Sequence, residues 1–217
     1  DGAAGTISGT RMQLFFDIDG VLLNFEHAFV GWMNTHYAMG LPPDYEASDW
    51  DFTEVLEAEE LDRRWRRFLA APEAARMQPL IAPERFNALV RDHQVHLVTN
   101  FPLPHMERRL ENLTNLGFAY ESLHHCGFLV FDDIVPKTKA QTIAELRRGH
   151  EPALFVDDHP DNCMDVLQNC RDVEVWLRRR RGLDSSYRGG RLGRRRLLLR
   201  DVPIGVKFHP QLLCHVR

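Results

Sequence analysis

Five short β-leaning apolar runs dominate the pattern of this chain: "LFF" at 14–16, "VHLV" at 95–98, "FLVF" at 128–131, "ALFV" at 153–156 and "VEVWL" at 173–177. Most are continuous rather than alternating, as expected of strands covered on both faces. Helical patterns fall between them. "PERFNALV" begins with Pro83 and places Phe86, Leu89 and Val90 on one side. "PHMERRLENLTNLG" puts Met106, Leu110 and Leu113 on a stripe and stops at Gly117, a residue suited to closing a helix. "KAQTIAELRRG" ends on Arg147, Arg148 and Gly149, which suits a helix carboxyl end. Alternation of this kind predicts an α/β fold with a mostly parallel central sheet.

Residues 23–81 break the rhythm, with no strand signal. Phe25, Phe29, Trp32 and Met33 follow helical spacing, and Leu61, Trp65, Phe68 and Leu69 repeat it. The expected organisation is therefore a core of residues 12–22 and 82–177, a small helical cap inserted at 23–81, and an Arg-rich extension at 178–217 that ends in a hairpin-like piece, "LLLRDVPIGVKF". Phe25, Trp32, Trp50 and Trp65 read as the core of the inserted helices in preference to a base-stacking platform.

The net charge of −4 conceals an asymmetry. Residues 178–217 hold 11 Arg and one Lys against two Asp, leaving the rest of the chain strongly acidic. Such a segment binds a polyanion or lies as a charged surface, so a nucleic-acid-binding protein stays open as the alternative function. No apolar run is long enough to cross a bilayer, and "DGAAGTISGT" lacks the basic start and apolar middle of a signal peptide. Cys126, Cys163, Cys170 and Cys214 lack metal-knuckle spacing, which predicts a reducing, cytoplasmic setting. His124, His125 and Cys126 do not read as a metal site, since adjacent strand histidines point to opposite faces. Asp132 and Asp133 read as a solvated turn.

Ligands of open α/β sheets bind outside the carboxyl ends of the strands, and there the polar residues gather. The first strand ends in Asp17 and Asp19, the second in Thr99 and Asn100, and "ALFV" runs into Asp157, Asp158, His159 and Asp161. Lys137 and Lys139 precede the helix leading into that last strand. So many carboxylates at one edge demand a cation, and hard oxygen donors point to Mg²⁺ or Mn²⁺. Asp17 and Asp19, two residues apart, face the same side of an extended chain. One can attack while the other handles a proton, a pairing suited to phosphoryl transfer.

Four stretches carry a resemblance: "FFDIDGVL", "HLVTN", "PKTKAQTIAEL" and "ALFVDDHPDN", in that order. Together they resemble the four motifs of the haloacid dehalogenase superfamily of phosphohydrolases. The resemblance implies a Rossmann-like core and an aspartyl-phosphate mechanism. Asp17 would be the nucleophile and Asp19 the acid that protonates the leaving group and then activates water. Mg²⁺ would sit on Asp17, the Asp19 carbonyl and Asp157, with Asp158 or Asp161 as a further ligand. Thr99 and a lysine would hold the phosphoryl group; helix phasing favours Lys139, and Lys137 stays open. Asn100, Asn24, Phe25 and His159 are the candidate substrate contacts, beside loop-forming roles for the asparagines and a turn-filling role for His159. Dehalogenases and phosphonate-cleaving members lack the second aspartate, so Asp19 favours phosphate esters. "DGVLLNFEHAF…DWDF" is loosely similar to the 5′(3′)-deoxyribonucleotidase branch, which makes a nucleoside monophosphate the leaning for a small phosphorylated substrate.

Overall fold

The computed structural model describes residues 11–47, 52–127 and 137–178, and the backbone of 191–192, 195–196 and 198–200. Strands β1 (Gln13–Phe16), β2 (Gln94–Thr99), β3 (Ser122–His125), β4 (Ala153–Asp157) and β5 (Val173–Arg178) pair throughout in parallel. β6 (Arg191–Leu192) and β7 (Arg195–Arg196) form a separate antiparallel pair. β8 (Leu198–Arg200) joins the main sheet beside β5, also in parallel, giving the order β3-β2-β1-β4-β5-β8. The terminal piece expected to be hairpin-like thus contributes an edge strand, and residues 201–217 lie outside the described residues, as does the run at 128–131. β3 was not among the apolar runs because it reads "SLHH" and is only partly buried. Among the described residues it is an edge strand, bonded to β2, so burial does not force an apolar sequence on it.

Among the described residues there are six α-helices: α1 (Phe25–Tyr37), α2 (Ala58–Ala70), α3 (Pro83–Val90), α4 (Met106–Leu116), α5 (Lys139–Leu146) and α6 (Pro160–Asn169). Side chains two apart on a strand share a face, and the sheet splits its core accordingly. Leu14, Phe16, Leu97, Leu154 and Val156 pack with Phe86 and Val90 of α3 and Leu113 of α4. Phe15, Val98, Phe155 and Val175 pack on the other side with Ile143 of α5 and Cys163 and Val166 of α6. Coverage of both faces explains the continuous apolar runs.

Helix α4 departs from its expected stripe. Met106 and Leu113 are buried with Arg109 and Asn112, whereas Leu110 is 40% exposed. The two polar residues are accommodated because they meet backbone. Asn112 Oδ1 accepts from Met77 N at 3.0 Å, and its Nδ2 donates to Met77 O at 3.2 Å.

The α1–α2 excursion has its own aromatic centre. Phe25 packs edge-on against Phe68, with ring centroids 5.5 Å apart, and Phe29 stands 5.4 Å from both Phe52 and Phe68. Trp50 lies outside the described residues. The excursion leaves and rejoins the core side by side. Leu23 bridges Pro79 in antiparallel fashion, Asn24 N donates to Gln78 O at 2.9 Å, and Leu80 N donates to Leu22 O at 2.8 Å.

Candidate active site

The strand order reverses direction between β1 and β4, the position where open α/β sheets bind their ligands. β1 delivers Asp17 there and β4 delivers Asp157, in a register held by Asp17 N donating to Val156 O at 2.9 Å. Lys139 reaches the same point as the first residue of α5. A capping box fixes that helix start, with Thr138 Oγ1 accepting from Gln141 N and Gln141 Oε1 accepting from Thr138 N. Lys139 Nζ lies 2.9 Å from Asp17 Oδ1 and 2.7 Å from Asp157 Oδ2, all three side chains being buried. Asp158 completes the cluster: carboxylate oxygens of Asp17, Asp157 and Asp158 lie within 4.8 Å of one another.

Three buried carboxylates facing one ammonium are short of positive charge. Burial pushes the Asp17 carboxyl well above its ordinary range; Lys139 opposes the rise, and Asp157 and Asp158 reinforce it. Burial alone would lower the Lys139 ammonium, but Asp157 and Asp17 more than offset it, and the group is held firmly charged. The set of close-packed carboxylate oxygens, rich in hard donors and only partly neutralised by Lys139, fits a divalent ion such as Mg²⁺.

Asp157 is further held by His159 N, which donates to its Oδ1 at 2.7 Å, and by Asn162 Nδ2, 3.2 Å from its Oδ2. Thr99 is buried at the end of β2, where its Oγ1 accepts from Phe101 N at 3.1 Å. Asn100 beside it donates from Nδ2 to Gly127 O at 3.2 Å. Asp19 leaves the acidic cluster: its carboxylate pairs with Arg109, with Nη2 3.1 Å from Oδ1. Burial raises the Asp19 carboxyl, opposed by Arg109 and then Lys139.

Several expected site residues have side chains engaged in other contacts. Lys137 Nζ donates to Glu145 Oε1 and Oε2 at 2.9 and 2.8 Å on the surface, so the lysine among the acids is Lys139. Asp161 is exposed in the first turn of α6 and is not part of the carboxylate cluster. His159 caps α6, its Nδ1 accepting from Asp161 N at 3.3 Å. Asn24 likewise caps α1, its Oδ1 accepting from His27 N. Phe25 packs among Phe29, Trp65 and Phe68. Arg109 and Asn162 were missed by reading the sequence. Asn162 follows "DDHPD" directly and carried a local signal; Arg109 carried none beyond its helical spacing from Met106.

No protein-family model matches the sequence, and no curated protein matches it. Solved structures do match in fold. A haloacid dehalogenase-like family hydrolase from Streptococcus pneumoniae aligns with a TM-score of 0.53 at 16% identity, over 80% of this chain and 86% of that one. A phosphonoacetaldehyde hydrolase-like protein from Oleispira antarctica aligns at 0.51 and 13% identity, over 79% and 73%. The L-2-haloacid dehalogenase of Xanthobacter autotrophicus aligns at 0.51 and 12% identity, over 77% of each chain. The fold is that of the haloacid dehalogenase-like hydrolases, a Rossmann-like α/β architecture. Among the described residues no helix is long and apolar enough to cross a membrane.

Proposed function

We propose that the protein is a Mg²⁺-dependent phosphomonoester hydrolase working through a phosphorylated Asp17. One observation carries the choice within this hydrolase fold: a second acid, Asp19, stands beside Asp17 but outside the carboxylate cluster, with 21% of its side chain still exposed. A haloacid or phosphonate substrate gives an acid in that position nothing to protonate; an ester's departing alkoxide does.

In this reading Asp17 attacks phosphorus, and Lys139 neutralises charge on the phosphoryl oxygens while Thr99 donates to one of them. Asp19 gives its proton to the leaving oxygen and then takes one from the attacking water. Asp17, Asp157, Asp158 and the Asp19 carbonyl would hold Mg²⁺, which when bound adds further positive charge at the phosphoryl group. Asn162 and the His159 amide orient Asp157. α1 and α2 serve as a small cap over the strand ends, favouring a small phosphorylated metabolite, with nucleoside monophosphates first to be tried. Cys126, Cys163 and Cys170, buried and without disulfides, support a reducing compartment such as the cytoplasm.

The test is hydrolysis of p-nitrophenyl phosphate and of a panel of phosphorylated metabolites with Mg²⁺. Turnover is expected, lost with EDTA and in Asp17→Asn. Protein supplied with Mg²⁺ that hydrolyses nothing across a broad panel overturns the proposal.

A further inference from the structure

Helix α4 carries one buried cation whose surroundings suit a task. Arg109 is wholly buried, its side chain 0% exposed, and arginine is almost never interred without partners. Three separate pieces of chain hold its guanidinium. Nη1 donates to Ala74 O at 2.9 Å, from the segment returning from α2. Cζ stands 4.0 Å over the ring of Phe101, two residues beyond Thr99. Nη2 lies 3.1 Å from Asp19 Oδ1, in the loop after β1. An apolar side chain would fill this space without the desolvation cost of a charge. The cation therefore has its use in what it does to Asp19.

The arrangement is one-sided. Arg109 is sealed off while Asp19 keeps an open edge, so the guanidinium sits behind the carboxylate and leaves its front free. The guanidinium meets the inner carboxylate oxygen, Asp19 Oδ1, which is itself buried.

We propose that Arg109 is a positioning residue that fixes the Asp19 carboxylate for proton transfer and ties it to the returning segment at Ala74. The role rests on the phosphomonoesterase reading. In the first half-reaction the Asp17 oxygen–phosphorus bond forms as the ester P–O bond breaks, and the Asp19 proton passes to the departing alkoxide. In the second, water attacks phosphorus, Asp19 accepts its proton, the Asp17–phosphorus bond breaks, and inorganic phosphate leaves. A misplaced Asp19 penalises the first half-reaction only when the leaving group needs a proton. An alkoxide needs one, whereas p-nitrophenolate departs without it.

The experiment compares kcat/KM, which reports the steps through phosphoryl transfer, for p-nitrophenyl phosphate and an alkyl phosphomonoester such as glycerol 2-phosphate. In Arg109→Met, with Mg²⁺ present, the alkyl ester is expected to lose about 100-fold, the scale of general-acid assistance, and the aryl ester only a few-fold. Arg109→Lys, which keeps the cation, is expected to recover about tenfold of the alkyl loss. If Arg109→Met does not fold, Phe101→Leu removes the ring beneath the guanidinium and should lower the alkyl-to-aryl ratio in the same direction. Equal losses on both esters overturn the role of Arg109 and leave the phosphomonoesterase reading intact, as does a wild type active on aryl esters alone. A wild type active on neither overturns that reading and this role together.

Discussion

A Cβ placed on Gly20 would lie 2.1 Å from Oδ2 of Asp158, and Gly20 has a φ of +77°. Glycine thus meets two demands in the loop after β1: a left-handed backbone and room for a carboxylate of the acidic cluster. The loop is held in place, Gly20 N donating to Leu23 O at 2.9 Å and Arg178 Nη1 donating to Gly20 O.

Gly20→Ala is therefore expected to destabilise the fold by about 1–2 kcal/mol through backbone strain. It should weaken Mg²⁺ binding further, because the side chain that must give way is Asp158 itself. Urea unfolding measured with and without Mg²⁺ separates the two effects. A variant with wild-type metal response contradicts the contact.

The two lysines of "PKTK" should behave oppositely. Lys139→Met leaves Asp17 and Asp157 buried without their shared cation and is expected to cost about 3–5 kcal/mol of stability, along with phosphatase turnover. Lys137, with a side chain 55% exposed beside Glu145, is expected to tolerate methionine within about 0.5 kcal/mol. Thermal melts and p-nitrophenyl phosphate assays of both variants check this.

Magnesium should stabilise the protein whether or not a substrate is found. A ligand bound only by the folded state adds about 2.7 kcal/mol at a hundredfold excess over Kd, so the melting temperature should climb with Mg²⁺ concentration. Asp158→Asn should shrink the climb, and Asp161→Asn should not, since Asp161 stands apart from the cluster. An equal response in the two variants would return Asp161 to the site.

His96 is expected to give the fold a pH dependence. It is buried, stacked on Phe15 at 5.2 Å, with Nδ1 2.7 Å from Ser122 Oγ. Burial lowers its folded-state pKa below the ordinary 6.5; Glu121 opposes the shift, and His124 and Arg148 add to it. The unfolded chain then takes up the proton first. The stability His96 contributes is present above 6.5 and declines as pH falls from there toward the folded value. The slope from one such proton is at most about 1.4 kcal/mol per pH unit. His96→Gln should flatten the fall in urea midpoint between about pH 7 and 5.5; an unaltered slope would exclude His96 as a source.

The site was legible where chemistry and secondary structure share a boundary. Asp17, Thr99 and Asp157 each close an apolar run, and Lys139 was marked by the phasing of Thr142, Ile143 and Leu146 behind it. β3 was not legible, because an edge strand with partial burial tolerates "SLHH". Arg109 was hidden for a different reason. Within "MERRLENL" it reads as a solvent-facing charge, and Leu110 reads as the buried neighbour. Tertiary contacts reverse the two, through Ala74 and Phe101, which no local pattern encodes. Asn24 and His159 show the converse: polar residues near motifs that turn out to cap helices.

The α1–α2 excursion departs and returns through a doorway one strand pair wide, closed by Leu23 and Pro79. The distance that an inserted segment must span is therefore fixed and small, whatever its length. β1 and β4 pair through their own backbones, so helices grafted between those two residues can be exchanged or lengthened without a new path having to be found through the sheet.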